Sequence, residues 1–318
     1  MPLPDFLIVG VPKAGTTALH AALQQHPDLF LSAVKEPKHF LTDGPPPTTG
    51  GPGDAQTYRE HVWRRPDYEA LFAAAPEGAL TGEATPFYLY DLDAQRRIRD
   101  AVPDARLIVI LRDPVERAHS NWTHLWSAGL EPLDDVVRAC EEEEHRIAAG
   151  WAHFWHYVGL GRYGEQLAHL FTLFPREQVL IFRYRDLVDR PAETLDRICG
   201  FLGVRQDLLA DLPKENVTAH PDANPRHRVL SSFRRRVPAP LARTIENLLQ
   251  RRGKSRRPLT WEQRRRLLPY FTADILLLQQ VTGEDFSDWL GPRTRSGGLV
   301  GTRPPGRHQS RNGRPAPR

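Results

Sequence analysis

The chain has 318 residues, of which 40% are hydrophobic and 26% are charged, a composition typical of a soluble globular protein. Two cysteines are too few for a disulfide framework, no Cys/His pattern has zinc spacing, and no apolar run approaches the roughly 18 residues of a membrane span. The first residues lack the basic region of a signal peptide, so we expect a cytoplasmic protein with reduced thiols.

The net charge of +4 and the isoelectric point of about 9.2 suggest a polyanionic partner such as a nucleic acid. The basic residues are concentrated in two places. Residues 226–266 contain 14 basic and two acidic residues, and residues 293–318 contain seven arginines and no acid. By contrast, residues 1–225 contain 22 basic and 33 acidic residues. The Arg/Gly/Pro-rich stretch 293–318 is predicted to be a disordered tail, which leaves residues 1–292 as one folded domain.

The first part of the chain predicts a strand, a loop and a helix. Residues 6–11 form a short apolar run that ends at Gly and Pro, which is typical of a buried strand. Apolar residues at helical spacing predict a helix over 16–25, with Thr16 or Thr17 as its cap. Residues 44–53 are all Gly, Pro or Thr and are predicted to be a surface loop.

The later part of the chain alternates strands with helices. Strands are predicted at 106–111 and 179–182. Helices are predicted at 114–126, 133–149 (with a solvated acidic face at 141–144), 163–174, 191–202 and 262–281. This alternation favours an α/β fold, a single P-loop-like domain with a central, mostly parallel sheet flanked by helices.

The loop Gly-Val-Pro-Lys-Ala-Gly-Thr-Thr, residues 10–17, joins the first strand to the first helix. Backbone amides at such a helix start bind anions; here Gly15 allows close approach and Lys13 adds a positive charge. The spacing of the two glycines matches the Walker A motif, but Thr16 stands where that motif has its lysine. A Mg-ATP site is therefore disfavoured, and a tight turn without a ligand is the alternative.

Arg112 follows the predicted strand 106–111 directly. Ligands of open α/β sheets bind at the carboxyl ends of the strands, and a guanidinium suits bidentate binding of a phosphate. Ser120 lies about two turns into the helix that follows. The alternative is a surface ion pair between Arg112 and Asp113 or Glu116.

These two regions, residues 6–17 and 107–120, resemble the 5′- and 3′-phosphate motifs of sulfotransferases that use 3′-phosphoadenosine 5′-phosphosulfate (PAPS). The similarity is greatest to the branch that contains the heparan sulfate N- and O-sulfotransferases and their bacterial relatives. Three further stretches support it: Lys35-Glu36-Pro37-Lys38-His39-Phe40, Gly82-Glu83-Ala84-Thr85-Pro86, and residues 283–289.

The resemblance implies sulfuryl transfer from PAPS to a hydroxyl or amine, with 3′,5′-ADP as the product and no metal. Glu36 matches the catalytic base, and Lys13 would stabilise the leaving group. The residues matched to the donor site are Lys13, Ala14, Gly15, Thr16 and Thr17 for the 5′-phosphosulfate, and Arg112 and Ser120 for the 3′-phosphate. A solvated loop carboxylate is the alternative for Glu36.

The acceptor side is matched less completely. Glu83 matches an acid of the acceptor cleft, with a salt bridge at a strand end as its alternative, and Lys38 and His39 lie next to the catalytic motif. His39 could itself be the base, contact the acceptor, or be a packed structural residue. The 3-O-sulfotransferases have a lysine after the acid, where this chain has Ala84, which argues against a polyanionic acceptor. We expect a small-molecule, lipid or carbohydrate acceptor and no nucleic acid.

The basic segment has a candidate role in this scheme, because a cationic lid would suit a highly charged donor. The residues predicted to close over the donor are Arg226, Arg228, Lys254 and Arg256, with a solvated arginine face as the alternative. Another group is aromatic and is predicted either to stack on the acceptor or to belong to the core: Trp151, Trp155, Tyr157 and Tyr163.

Three other functions compete with this interpretation. A P-loop nucleotide or small-molecule kinase would bind Mg-ATP. A nucleic-acid-binding protein would use residues 226–266, with a steep dependence on salt, but would leave both phosphate loops unexplained. A sulfotransferase that binds nucleotide without turnover is disfavoured by the presence of Lys13 and Glu36 together.

Overall fold

The computed structural model describes residues 3–213 and 258–291. Within them, five parallel strands form one sheet in the order β2-β3-β1-β4-β5. The strands are β1 (Phe6–Gly10), β2 (Leu29–Leu31), β3 (Leu80–Ala84), β4 (Arg106–Leu111) and β5 (Val179–Arg183). The predicted α/β class with a central parallel sheet is confirmed.

Twelve α-helices surround the sheet in the described residues. They are α1 (Thr16–Leu23), α2 (Asp54–Arg59), α3 (Arg65–Ala70), α4 (Leu92–Ala101), α5 (Pro114–Ser127), α6 (Val136–Glu141), α7 (Glu143–Ala148), α8 (Tyr163–Leu173), α9 (Tyr184–Asp189), α10 (Pro191–Leu202), α11 (Trp261–Leu267) and α12 (Pro269–Thr282). None of the described helices is both long and apolar enough to cross a bilayer.

The central strands are buried because both of their faces are covered. All five residues of β1 are buried, as are five of the six residues of β4. In the pairing of β1 with β3, Phe6 lies opposite Gly82. A Cβ atom at Gly82 would lie 2.2 Å from Cζ of the Phe6 ring, so this position requires glycine. The apolar run of β1 is therefore the centre of the core, as the sequence predicts.

The order of the strands creates a crevice at one edge of the sheet. After β1 the chain passes to β2 and returns to β3 on one side of β1, and then crosses to β4 on the other side. The carboxyl ends of β3, β1 and β4 therefore lie next to one another. In open α/β sheets, such a reversal of strand order is where ligands bind.

Two predicted helices are each divided in two. The helix predicted over 262–281 is interrupted before Pro269, which begins α12 and has no N–H to continue the hydrogen bonds of α11. The helix predicted over 133–149 turns at Glu142, between α6 and α7. The predicted solvated acidic face at 141–144 is wrong for Glu143, which is buried and accepts hydrogen bonds from backbone N–H groups of Val158 and Gly159.

The aromatic residues between 151 and 163 belong mainly to the core. Trp155, Tyr157 and Tyr163 are fully buried, and Trp151 packs against the core with part of its surface exposed. The Tyr163 hydroxyl donates to the backbone carbonyl of Arg112, at 2.8 Å. Of the two interpretations for this stretch, the structure favours core packing.

Candidate active site

A cleft of about 910 Å³ lies at the carboxyl ends of β3, β1 and β4. Its lining brings together residues from several separate segments of the chain. Those singled out from the sequence are Lys13, Gly15, Thr16, Thr17, Glu36, Lys38, Arg112 and Ser120. These residues, which are up to 107 positions apart in the sequence, converge because the parallel strands end at the same edge of the sheet.

The loop after β1 leads into α1 through Gly15, which has a φ of +88°. This left-handed conformation ends the loop, and α1 begins at Thr16 without any side-chain cap. The predicted threonine cap is therefore wrong; Thr16 and Thr17 line the cleft instead. The first amides of α1 lack partners within the helix, so this end of the cleft suits an anion.

Arg112 lies at the other side of the same loop. Its Nη1 donates to the Lys13 carbonyl at 2.9 Å, and its guanidinium lies over the Tyr184 ring, 5.0 Å from the centroid. Its Nε is 3.6 Å from a Glu116 carboxylate oxygen, and this buried nitrogen makes no hydrogen bond to the described residues. The predicted ion pair with Glu116 is therefore present, and the Arg112 side chain, which is 23% exposed, also lines the cleft.

Asp113, the other predicted ion-pair partner, points elsewhere. Its carboxylate caps the start of α5 and pairs with Arg264 of α11 at 2.9 Å. Arg264 is 4% exposed and Asp113 is 1% exposed, so this pair is buried. It fixes the chain directly after Arg112 against the C-terminal helices.

Glu36 lies on the loop that follows β2. Its backbone N–H donates to the Ala84 carbonyl at the end of β3, at 3.0 Å, and its φ is +60°. The Lys35 ammonium is 2.5 Å from Oε1 of Glu36. The Glu36 side chain is 27% exposed, which leaves this carboxylate accessible from the cleft.

Lys38 and His39 have different surroundings although they are adjacent. Lys38 lines the cleft, and its ammonium is 3.6 Å from a Glu60 carboxylate oxygen. The residues that line the cleft do not include His39. Its ring stacks on Tyr68 with centroids 4.1 Å apart, and Nδ1 is 2.9 Å from the Val62 carbonyl. Burial lowers the pKa of His39, so the packed, neutral ring is favoured.

Glu83 does not line the cleft, and its side chain is fully buried. Its carboxylate accepts three hydrogen bonds, from the hydroxyls of Tyr68 (3.1 Å), Tyr88 (2.8 Å) and Thr85 (2.8 Å). Burial raises the pKa of Glu83 to about 7, against the opposing effect of these three hydrogen bonds, and the charge of Glu36 raises it further. The family resemblance implies that Glu83 belongs to the acceptor cleft, whereas in the structure it is part of a buried polar network.

The similarity to known proteins agrees with this arrangement. Residues 34–207 match the family model described as "Sulfotransferase family". The chain belongs to the sulfotransferase family. The matched region includes Glu36 and Arg112 and begins after the loop 10–17.

Two human relatives share this region of the sulfotransferase chain. Heparan sulfate glucosamine 3-O-sulfotransferase 3B1 is 31% identical over 205 residues, which cover 64% of this chain and 47% of that protein. Bifunctional heparan sulfate N-deacetylase/N-sulfotransferase 3 is 29% identical over 219 residues, covering 64% of this chain and 22% of that protein. The chain thus spans about half of the first relative's length, and less of the second's.

A solved structure extends the similarity to nearly the whole chain. The crystal structure of a sulfotransferase from Alicyclobacillus acidocaldarius has a TM-score of 0.71 and 28% sequence identity. The match covers 91% of this chain and 99% of that one. The fold of this family member is therefore that of a bacterial sulfotransferase.

Sequence reasoning did not find the aromatic wall of the cleft. Phe87 and Phe154 both line it and meet edge to face, with centroids 5.7 Å apart. His124 also lines it and contacts Phe154 in the same way, at 5.5 Å. His124 lies one helical turn after Ser120, so the spacing (i, i+4) was a usable signal for that residue. Phe154 carried no such signal, because it reaches the cleft through tertiary packing.

The predicted donor lid cannot be placed in this site. Arg226, Arg228, Lys254 and Arg256 lie outside the described residues, as does the tail 293–318. Their roles remain predictions from the sequence.

Proposed function

We propose that this chain transfers the sulfuryl group of PAPS to a hydroxyl or amine of a small-molecule, lipid or carbohydrate acceptor. One observation carries the proposal. A single cleft, at the reversal of strand order, combines the anion-binding loop 10–17, Arg112 with Ser120, and the carboxylate of Glu36.

The donor set fits a nucleotide with phosphates at two positions. Lys13 and the amides that open α1 would hold the 5′-phosphosulfate, and Arg112 with Ser120 would hold the 3′-phosphate. The Arg112 plane is already fixed by the Lys13 carbonyl and the Tyr184 ring, and its side chain remains 23% exposed at the cleft. A preorganised guanidinium that lines the cleft is suited to bind a phosphate oxygen.

Sulfuryl transfer, like phosphoryl transfer, depends on positioning and charge stabilisation more than on covalent help from the protein. The bond between sulfur and the bridging oxygen breaks while the acceptor atom bonds to sulfur. Negative charge develops on the bridging oxygen as 3′,5′-ADP leaves. The Lys13 ammonium and the loop amides are the groups that would stabilise this charge.

The acceptor must lose a proton as it attacks sulfur. Glu36 is the accessible carboxylate of the cleft, and we assign it the role of general base that takes this proton. Lys35, at 2.5 Å, holds one of its oxygens and leaves the other for the acceptor. The proton therefore ends on Glu36 and the sulfuryl group on the acceptor.

The described wall of the cleft supports an acceptor with an uncharged ring or acyl portion. Phe87 and Phe154 present apolar surface, and the Lys38 ammonium already has Glu60 nearby. A polyanionic glycan would require several uncompensated cations along its path. The names of the human relatives refer to heparan sulfate. Because of the apolar wall of the cleft, we do not propose heparan sulfate as the acceptor of this chain.

Calorimetry of the full chain with 3′,5′-ADP and, separately, with Mg-ATP tests the proposal. We expect 3′,5′-ADP to bind, and Arg112→Ala to weaken binding at least tenfold. Arg96→Ala is the matched control, because Arg96 is an exposed residue of α4 that does not line the cleft, and it should bind normally. Binding of Mg-ATP without binding of 3′,5′-ADP would favour the kinase alternative and refute the proposal.

A further inference from the structure

The segment 36–40, which carries Glu36, has an unusual backbone. Glu36 and Lys38 both have a φ of +60°, in the left-handed region that residues with a Cβ disfavour. Such conformations persist where the surrounding structure determines them. The contacts that hold this segment therefore decide where the Glu36 carboxylate points.

The network around Glu83 supplies those contacts. Thr85 Oγ1 accepts from the Lys38 backbone N–H at 3.2 Å, and the Tyr88 hydroxyl accepts from the Phe40 N–H at 3.4 Å. The third hydroxyl partner of Glu83 belongs to Tyr68, whose ring stacks on His39. Each of the three residues after Pro37 is thus held by a different hydroxyl-bearing partner of Glu83.

Proton accounting fixes the direction of these hydrogen bonds. A backbone N–H can only donate, so the Thr85 and Tyr88 oxygens must accept from the segment. The single proton of each hydroxyl then points to Glu83, and so does that of Tyr68. Three donors converge on one carboxyl group, and an ionised carboxylate, which only accepts, satisfies them all.

We propose that ionised Glu83 is the positioning residue of this site, which orients three hydroxyls so that they hold segment 36–40 and aim Glu36 into the cleft. That this segment serves catalysis rests on the proposed function. How the segment is held rests on the contacts alone. Glu83 itself does not touch the substrate in this account.

The charge state of Glu83 should then change the order of the segment. The groups that face it are Tyr68 from α3, Thr85 and Tyr88 from the chain after β3, and the charge of Glu36. A proton on Glu83 would add a fourth donor where three already converge, and one hydroxyl would have to turn to accept from it. Burial raises the pKa of Glu83 to about 7, so this change would occur near neutral pH. Segment 36–40 would be ordered above that pH and less ordered below it.

Hydrogen exchange of the full chain at pH 8 tests the inference without any acceptor. We expect Glu83→Gln and Thr85→Val to exchange the Lys38 amide at least tenfold faster than wild type, which corresponds to the loss of one hydrogen bond. Thr85→Ser is the matched control, because it keeps the hydroxyl, and should exchange at the wild-type rate. Residues of β1 should remain protected in all variants, which shows that the fold is intact.

A turnover assay with PAPS and 2-naphthol as probe acceptor adds a functional measurement. Glu83→Gln should lower kcat roughly 10- to 100-fold and leave the Kd for 3′,5′-ADP unchanged, because Arg112 and Lys13 lie outside this network. Wild-type protection of the Lys38 amide in both Glu83→Gln and Thr85→Val would overturn the inference. Faster exchange of the Lys38 amide in these variants would support the inference that Glu83 holds segment 36–40. If wild type then neither bound 3′,5′-ADP nor used PAPS, the proposed function alone would be overturned.

Discussion

Replacing Glu83 with glutamine should change how the stability of the protein depends on pH. Glu83 is fully buried, and its pKa is raised from the ordinary 4.5 to about 7. Between these two pH values the folded protein retains a proton that the unfolded chain releases. Stability from this group is therefore fully present below pH 4.5 and is lost as the pH rises through 7.

The size of this effect follows from the two pKa values. Each pH unit of this interval lowers the free energy of unfolding by about 1.4 kcal/mol, so Glu83 accounts for a loss on the order of 3 kcal/mol. Glutamine cannot ionise, so the Glu83→Gln variant does not lose this stability as the pH rises. The absolute stability of Glu83→Gln also includes the changed hydrogen bond to Thr85, which does not depend on pH. The quantity to compare is therefore the change of the free energy of unfolding with pH, rather than its value at one pH.

Urea unfolding of wild type and Glu83→Gln at pH 5, 6, 7 and 8 measures this slope. Relative to wild type, the variant should gain roughly 2 to 3 kcal/mol of stability between pH 5 and pH 8. Other titrating groups affect both proteins equally and cancel in the difference. Parallel stability curves for the two proteins would refute the reasoning, since they would show that Glu83 has the same pKa folded and unfolded.

Three further predictions concern the cleft and its support. Glu36→Gln should reduce PAPS turnover with 2-naphthol by roughly 10²- to 10⁴-fold at an unchanged Kd for 3′,5′-ADP, and turnover at the wild-type rate would remove Glu36 as the base. Lys13→Met should lower kcat in the same assay at least tenfold, and an unchanged kcat would show that Lys13 does not stabilise the leaving group. Arg264→Met removes the buried ion pair with Asp113 and should lower the free energy of unfolding by about 3 to 5 kcal/mol in urea. Arg265→Met, on the exposed side of α11, should have no effect, and equal stabilities of the two variants would contradict the assignment.

The parts of the fold that the sequence predicts are those with strong local signals. The strand 106–111 is found with the predicted bounds because almost all of its residues are apolar, and α10 begins at Pro191 and ends before Gly203, as predicted. By contrast, β2 has three residues, and β3 contains Thr81, Gly82 and Glu83 in a row. Neither has an apolar run that periodicity could detect.

The residues of the candidate site also differ in how well the sequence predicts them. The loop 10–17 and Arg112 follow buried strands, and this position is visible in the sequence, so their convergence on one cleft could be predicted. The buried hydrogen-bond network of Glu83 could not. Its partner Tyr68 lies on a helix before β3, and no local pattern shows that a helix packs its hydroxyl against that carboxylate. The resemblance matched Glu83 to an acceptor contact, while its burial depends on packing between distant segments.

The central claim is that this cleft recognises a nucleotide through both its 5′ group and its 3′-phosphate. Calorimetry of wild type and Arg112→Ala with 3′,5′-ADP and with 5′-AMP tests it most directly, because the two ligands differ by the 3′-phosphate alone. We expect wild type to bind 3′,5′-ADP at least tenfold more tightly than 5′-AMP, and Arg112→Ala to lose most of that ratio while its affinity for 5′-AMP changes little. The same ratio in both proteins would contradict the claim.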